Sequence, residues 1–194
     1  MKARESGMPE KDIWESFFNP AEILKIMKLD KNVTNAVEFG CGYGTFSIPA
    51  ARIVKGAIYA IDIDPDMVAL TREAADRQKF NNIQVILRDF IEKGSGFDDE
   101  NADYAMLFNI LHLENPQRLL REAWRNLKPG GTLGIIHWKY DPKTPRGPSL
   151  EIRPKPYQCI EWAKDVGFNN PRQFDLKPYH YGIVLKKEAG TCLA

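Results

Sequence analysis

Apolar positions along this chain follow two patterns. Short, nearly continuous apolar runs occupy 35–40, 57–62, 83–89, 103–109 and 132–138, with a late pair at 171–177 and 180–187. Between them, apolar residues recur at three- and four-residue spacing over 46–54, 65–79, 116–127 and 157–166. Runs of the first kind suit strands covered on both faces, and the second kind suits amphipathic helices. Their alternation predicts parallel β-α units, an α/β three-layer sandwich around a seven-stranded sheet. Only Pro178-Tyr179 separates the last two runs, so these must pair as a hairpin and the final strand runs antiparallel to the rest.

Local chemistry marks the element ends. Asp64-Pro65-Asp66 offers a capping side chain, a proline with no N–H to lose and an acid at the positive helix end. Asn115-Pro116 repeats the device. Pro49 falls in the first turn of its helix, where its missing N–H has no partner to forfeit. LKPGGTLGII at 127–136 ends a helix, turns through Pro-Gly-Gly and starts a buried strand. Ahead of the first strand, 12–29 carries two short helical patterns broken at Asn19-Pro20. Its Trp14, Phe17 and Phe18 are expected to pack over a ligand crevice. The crossover 139–156 is long and rich in proline, which marks a functional or mobile loop. The chain therefore reads as one domain: an N-terminal helical cap over 1–32, a core over 33–187 and a tail over 188–194.

Composition narrows the classes. The chain has 194 residues, 43% apolar and 27% charged, with 27 Lys plus Arg against 26 Asp plus Glu. That balance gives no electrostatic reason to expect nucleic acid or a membrane surface. No apolar stretch approaches the roughly 20 residues of a membrane helix. The polar start MKARESGMPEKD lacks a secretory core, so the cytoplasm is the expected location. Cys41, Cys159 and Cys192 are too few and too scattered for a disulfide framework or a zinc site, and no metal is expected.

The chemistry concentrates in AVEFGCGYGTFSIPAARIV, from residue 36 to 54. A buried strand ends at Glu38, and Gly40, Gly42 and Gly44 follow at every second position. Glycines there tolerate positive φ and let a ligand touch bare backbone. In an open parallel sheet, ligands bind beyond the carboxyl ends of the strands, where the winding reverses. A dinucleotide loop would place its third glycine five residues after the first, but Thr45 stands there. An acid at the strand end suits a cationic group rather than a pyrophosphate. At the end of the second run, Asp62 lies 24 residues after Glu38. Its two oxygens match the two hydroxyls of a ribose.

The pattern Glu-x-Gly-x-Gly-x-Gly resembles motif I of the class I S-adenosylmethionine-dependent methyltransferases. The resemblance extends over 33–187 and implies a Rossmann-like fold with S-adenosylmethionine as cofactor. It implies that Glu38, Gly40, Cys41, Gly42 and Gly44 surround the methionyl end, while Asp62 takes the ribose with Ile63 and Met67 beside it. It sets Asp89 against the adenine amino group, Phe90 against the ring, and Asn109 and Leu111 near the methyl donor. LKPGG before the fifth strand is also frequent in that family. WESFFNPAEIL and IIHWKYDPKTPRGPSLEIRPKPYQCIEWAKDVGF resemble the small-molecule branch of ubiquinone and menaquinone biosynthesis, methyltransferase type 11.

Methyl transfer from a sulfonium needs alignment and dehydration, and a base only if the acceptor must lose a proton. His112 and His137 follow the fourth and fifth strands and are the candidates for that role, with Trp138 as wall or lid. Asn109-Ile110-Leu111-His112 lacks the Asn/Asp-Pro-Pro-Tyr/Phe signature of amino methylation, which favours O-, C- or S-acceptors in a small molecule. A nucleotide-dependent oxidoreductase and a non-catalytic S-adenosylmethionine-binding module remain as alternatives.

Overall fold

A computed structural model describes residues 9–188, so the first eight residues, 189–194 of the tail and Cys192 lie outside the described residues. Seven strands form one sheet: β1 (Ala36–Phe39), β2 (Ile58–Asp62), β3 (Ile83–Leu87), β4 (Ala102–Phe108), β5 (Leu127–Trp138), β6 (Phe168–Leu176) and β7 (His180–Lys187). Their order is β3-β2-β1-β4-β5-β7-β6. The five strands from β3 to β5 pair parallel, and β7 runs antiparallel to both β5 and β6. The seven-stranded, mostly parallel sheet expected from the apolar runs is therefore present, with its final strand reversed. The winding reverses at β1, whose neighbours are β2 and β4, and this sets the ligand crevice at their carboxyl ends.

Helices cover both faces. α5 (Phe90–Lys93), α6 (Pro116–Asn126) and α7 (Pro156–Val166) pack against Val37, Phe39, Ala105 and Leu107. α2 (Pro20–Ile26) and α3 (Ser47–Ala51) cover the opposite face at Ala36, Ala60 and Met106, with α4 (Pro65–Arg77) packed beside α3. Alternate residues of β1 thus serve opposite cores, as period-two geometry requires.

The helix starts follow their caps. Asp64 Oδ1 accepts the Asp66 N–H at 2.8 Å, and Asn115 Oδ1 accepts that of Arg118 at 3.2 Å. Asn19 separates α1 (Lys11–Glu15) from α2 and accepts the Glu22 N–H at 3.4 Å. Two strand starts differ from the apolar runs by more than one residue. β5 begins at Leu127 because Lys128–Gly131 forms a bulge: pairing with β4 jumps from Leu127 to Thr132. β6 begins at Phe168, and Pro171 sits where its pairing with β7 shifts register, so the proline forfeits no ladder bond there. The single-turn helix α5 lacks the length to show periodicity. The crossover between β5 and α7 contains no regular element.

Candidate active site

The turn after β1 is fixed by its neighbour strand. The N–H groups of Gly40 and Cys41 both donate to the Ile61 carbonyl of β2, at 2.8 and 3.0 Å. Gly40 adopts φ +78°, which strains any side chain, and a Cβ there would also displace the Ile110 tip, 2.8 Å away. The Gly42 N–H donates to Asp62 Oδ2 at 2.8 Å, and the Asp64 N–H to Oδ1 at 3.0 Å. On the far side of the turn, Thr71 Oγ1 donates to the Gly42 carbonyl at 2.7 Å.

Glu38 is 2% exposed, and its carboxylate accepts the Ser47 hydroxyl from the start of α3. Burial pushes Glu38 up to about 8 from 4.5. The Ser47 hydrogen bond opposes this rise and the Asp62 charge adds to it. Burial also raises Asp62, against the backbone N–H groups that stabilise its charge. Two carboxylates thus share one water-poor end of the crevice, which favours a cationic ligand. The Cys41 thiol is pushed well up by burial and by both acids, and stays neutral.

A cavity of about 400 Å³ opens above these groups, within the range of small-ligand sites. Glu38, Gly40, Cys41, Gly42 and Asp62 line one end, with Ile63, Met67 and Phe90 beside them. Asn109 and His112 line it from the end of β4, and Trp14 and Trp138 close it further out. Two polar groups on this lining are buried without a hydrogen-bond partner among the described residues: the Asn109 amide and the Thr45 hydroxyl. Buried polar groups in native proteins are nearly always satisfied, so both mark places for a ligand's polar atoms. Asn109 holds φ +57° while its N–H donates to Ile136 at 2.7 Å. The strand end is bent to present that amide.

Four residues singled out in the sequence lie off this lining. Gly44 packs against Thr71 and Ile48 instead. Asp89 caps α5, its carboxylate accepting the N–H groups of Ile91 and Glu92 at 3.1 and 3.0 Å. Leu111 is buried in the core with Leu119 and Leu120. His137 lies wholly buried behind His112, with its Nε2 3.3 Å from His112 Nδ1. Burial holds His137 well below the ordinary imidazole value, and the neighbouring His112 and His180 act in the same direction, so it is neutral.

Of the aromatic residues ahead of β1, Trp14 lines the crevice, Phe17 backs its wall and Phe18 packs on Phe46 and His180 instead. The Trp14 and Trp138 rings lie 6.5 Å apart, and Phe17 meets Trp138 edge-on at 5.2 Å. The crossover supplies Arg146, Gly147 and Pro148 to the same cavity. These three carry no periodic signal. The proline-rich composition of their loop, and its resemblance to the small-molecule branch, were the available hints.

Residues 30–164 match the family described as methyltransferase domain. The chain belongs to that family. The methyltransferase domain is 30% identical over 118 residues to a demethylmenaquinone methyltransferase of Listeria welshimeri serovar 6b, covering 59% of this chain and 49% of the relative. It is 32% identical over 121 residues to a ribosomal protein L11 methyltransferase of Dechloromonas aromatica, covering 60% of this chain and 38% of that protein. The chain spans at most about half the length of these curated relatives. Among solved structures, a SAM dependent methyltransferase from Aquifex aeolicus superposes with a TM-score of 0.79 at 25% identity, covering 88% of this chain and 90% of that one. The resemblance carried by Glu38 and the three glycines is borne out: this is a class I, S-adenosylmethionine-dependent methyltransferase domain. The oxidoreductase alternative is not favoured. No helix among the described residues is long and apolar enough to cross a membrane.

Proposed function

We propose that the protein transfers a methyl group from S-adenosylmethionine to an oxygen, carbon or sulfur atom of a small, planar acceptor, in the cytoplasm. The carrying observation is the polarity of one cavity. Two buried carboxylates, Glu38 and Asp62, flank the glycine turn at one end, and Trp14, Trp138 and His112 line the other.

The residues present fit the cofactor. Glu38 is placed for an ammonium and Asp62 for a ribose diol, while the Asn109 amide and Thr45 hydroxyl wait for polar partners. Ile63, Met67 and Phe90 offer apolar surface to a flat base. Asp89 already serves as a helix cap, so the adenine role expected of it falls to these neighbours. When bound, S-adenosylmethionine supplies a methyl group on cationic sulfur for in-line displacement.

The aromatic end excludes water from an acceptor and holds it flat, which supplies alignment and dehydration. Where the acceptor nucleophile carries a proton, His112 receives it. His137 acts behind it: neutral and buried, it meets His112 Nδ1 and fixes the ring's orientation. The menaquinone relative supports a quinol-like acceptor.

The test is calorimetric titration with S-adenosylmethionine, followed by a screen for S-adenosylhomocysteine formation with phenols, quinols and thiols. One cofactor per chain and turnover of at least one planar acceptor are expected. No cofactor binding refutes the reading. Binding without turnover of any acceptor leaves the protein a non-catalytic module.

A further inference from the structure

The charges lining the cavity are segregated. Glu38, Asp62 and Asp64 lie at the glycine end, whereas Arg146 is the lone lysine or arginine on the lining. Its guanidinium makes no hydrogen bond or ion pair among the described residues. Its position is set by a second arginine. Arg153 is 7% exposed and donates to the carbonyls of Pro148 (2.6 and 3.0 Å), Lys139 (2.9 Å) and Arg146 (3.3 Å), and to Thr144 Oγ1 (2.6 Å). No carboxylate among the described residues forms an ion pair with it, and the Asp141 charge acts on it from beyond ion-pair distance. The corner it staples rests on an aromatic wall. Gly147, at φ +108°, lies so close to Trp138 that a Cβ would fall 2.7 Å from the ring.

We propose that the Trp138–Arg146 end of the cavity is an acceptor subsite for a planar aromatic acid, with Arg146 as counter-charge to the acidic group. This rests on the methyltransferase reading given above, and it names the acceptor class. Arg146 makes that end positive, and the acidic groups at the glycine end disfavour an anion there. An aromatic carboxylate therefore has one favourable orientation: ring against Trp138, acid toward Arg146. A planar guanidinium fork recognises a carboxylate through two parallel hydrogen bonds. Electrostatic complementarity of this kind fixes the register of the ligand as well as adding affinity.

The experiment uses the full chain saturated with S-adenosylhomocysteine. Its own titration comes first, and failure there counts against the methyltransferase reading itself. 1-Hydroxy-2-naphthoate and 1-naphthol, which share a ring system and differ by the acid, are then titrated calorimetrically. The naphthoate is expected to bind at least ten-fold tighter. Arg146→Ala is expected to bring the two within about two-fold, and Arg146→Lys to keep part of the preference. The preference is also expected to shrink as salt rises, because Arg146 stands at the mouth. Equal affinities, a preference that survives Arg146→Ala, or no binding of either compound to a protein that does bind S-adenosylhomocysteine overturns the proposal.

Discussion

Asp62 Oδ2 accepts the Gly42 N–H at 2.8 Å, so the acid at the end of β2 holds the glycine turn that follows β1. One carboxylate thus has two tasks, shaping the turn and facing the cavity. Asp62→Ala is expected to weaken S-adenosylmethionine binding by about 1–3 kcal/mol, the scale of a lost charged hydrogen bond. Calorimetry reads this directly, and an unchanged affinity removes Asp62 from the site.

The buried Glu38 makes cofactor binding depend on pH. Its pKa in the folded protein is raised to about 8 from 4.5. The native state therefore binds the extra proton more tightly than the unfolded chain does. This contribution to stability is fully present below about pH 4.5 and is lost as pH rises through about 8. Cofactor binding runs the other way, because an ammonium needs the ionised carboxylate. Affinity is expected to rise as pH approaches about 8 and to fall above it as the ligand's own amine loses its proton, with proton release on the rising side visible as a buffer-dependent heat. Glu38→Gln should abolish that slope; a slope that persists assigns it elsewhere.

Gly40 combines a left-handed backbone with a close approach to Ile110. Gly40→Ala is expected to lower stability by about 1–2 kcal/mol from backbone strain alone, with more from the clash. Urea unfolding measures it. Adding Ile110→Ala should recover the clash but not the strain; full recovery contradicts the backbone argument.

His112 faces the cavity and His137 backs it. His112→Gln is expected to lower kcat by roughly 10²-fold for an acceptor that must lose a proton. Cofactor affinity should stay within two-fold, since the acids and glycines are untouched. A fall in cofactor affinity with kcat preserved reverses the assignment.

Arg153 staples the crossover through neutral oxygens. Arg153→Met strands those acceptors and is expected to cost about 2–3 kcal/mol, or roughly 5–10 °C in Tm for a chain of this size. Arg153→Lys, with three donors in place of a fork, should restore part of it. An unaltered Tm in the methionine variant removes the staple.

Much of this molecule was legible in order of locality. The β1 to β5 runs were visible because strands covered on both faces must be apolar throughout, and α4 and α6 because Asp64-Pro65 and Asn115-Pro116 are strong local caps. Glu38, Gly40, Gly42 and Asp62 were readable as a group because adjacent parallel strands bring their carboxyl ends together. Asp89 shows where such reasoning stops. A strand-end acid reads alike whether it faces a ligand or caps a turn of helix, and α5 was too short to announce itself. His137 looked equivalent to His112 because burial behind a neighbour depends on packing, not spacing. The Arg146–Pro148 corner was hidden most deeply. Its shape comes from Arg153 reaching back to carbonyls along an irregular loop, which no periodicity encodes.

The central claim is that one cavity holds the cofactor between Glu38 and Asp62, with its sulfur directed toward the aromatic end. A crystal structure of the chain grown with S-adenosylhomocysteine tests this most directly. The amine is expected beside Glu38, the ribose hydroxyls on Asp62 and the sulfur facing the His112–Trp138 wall. The ligand seated at another edge of the sheet, or with its amine remote from Glu38, contradicts the account.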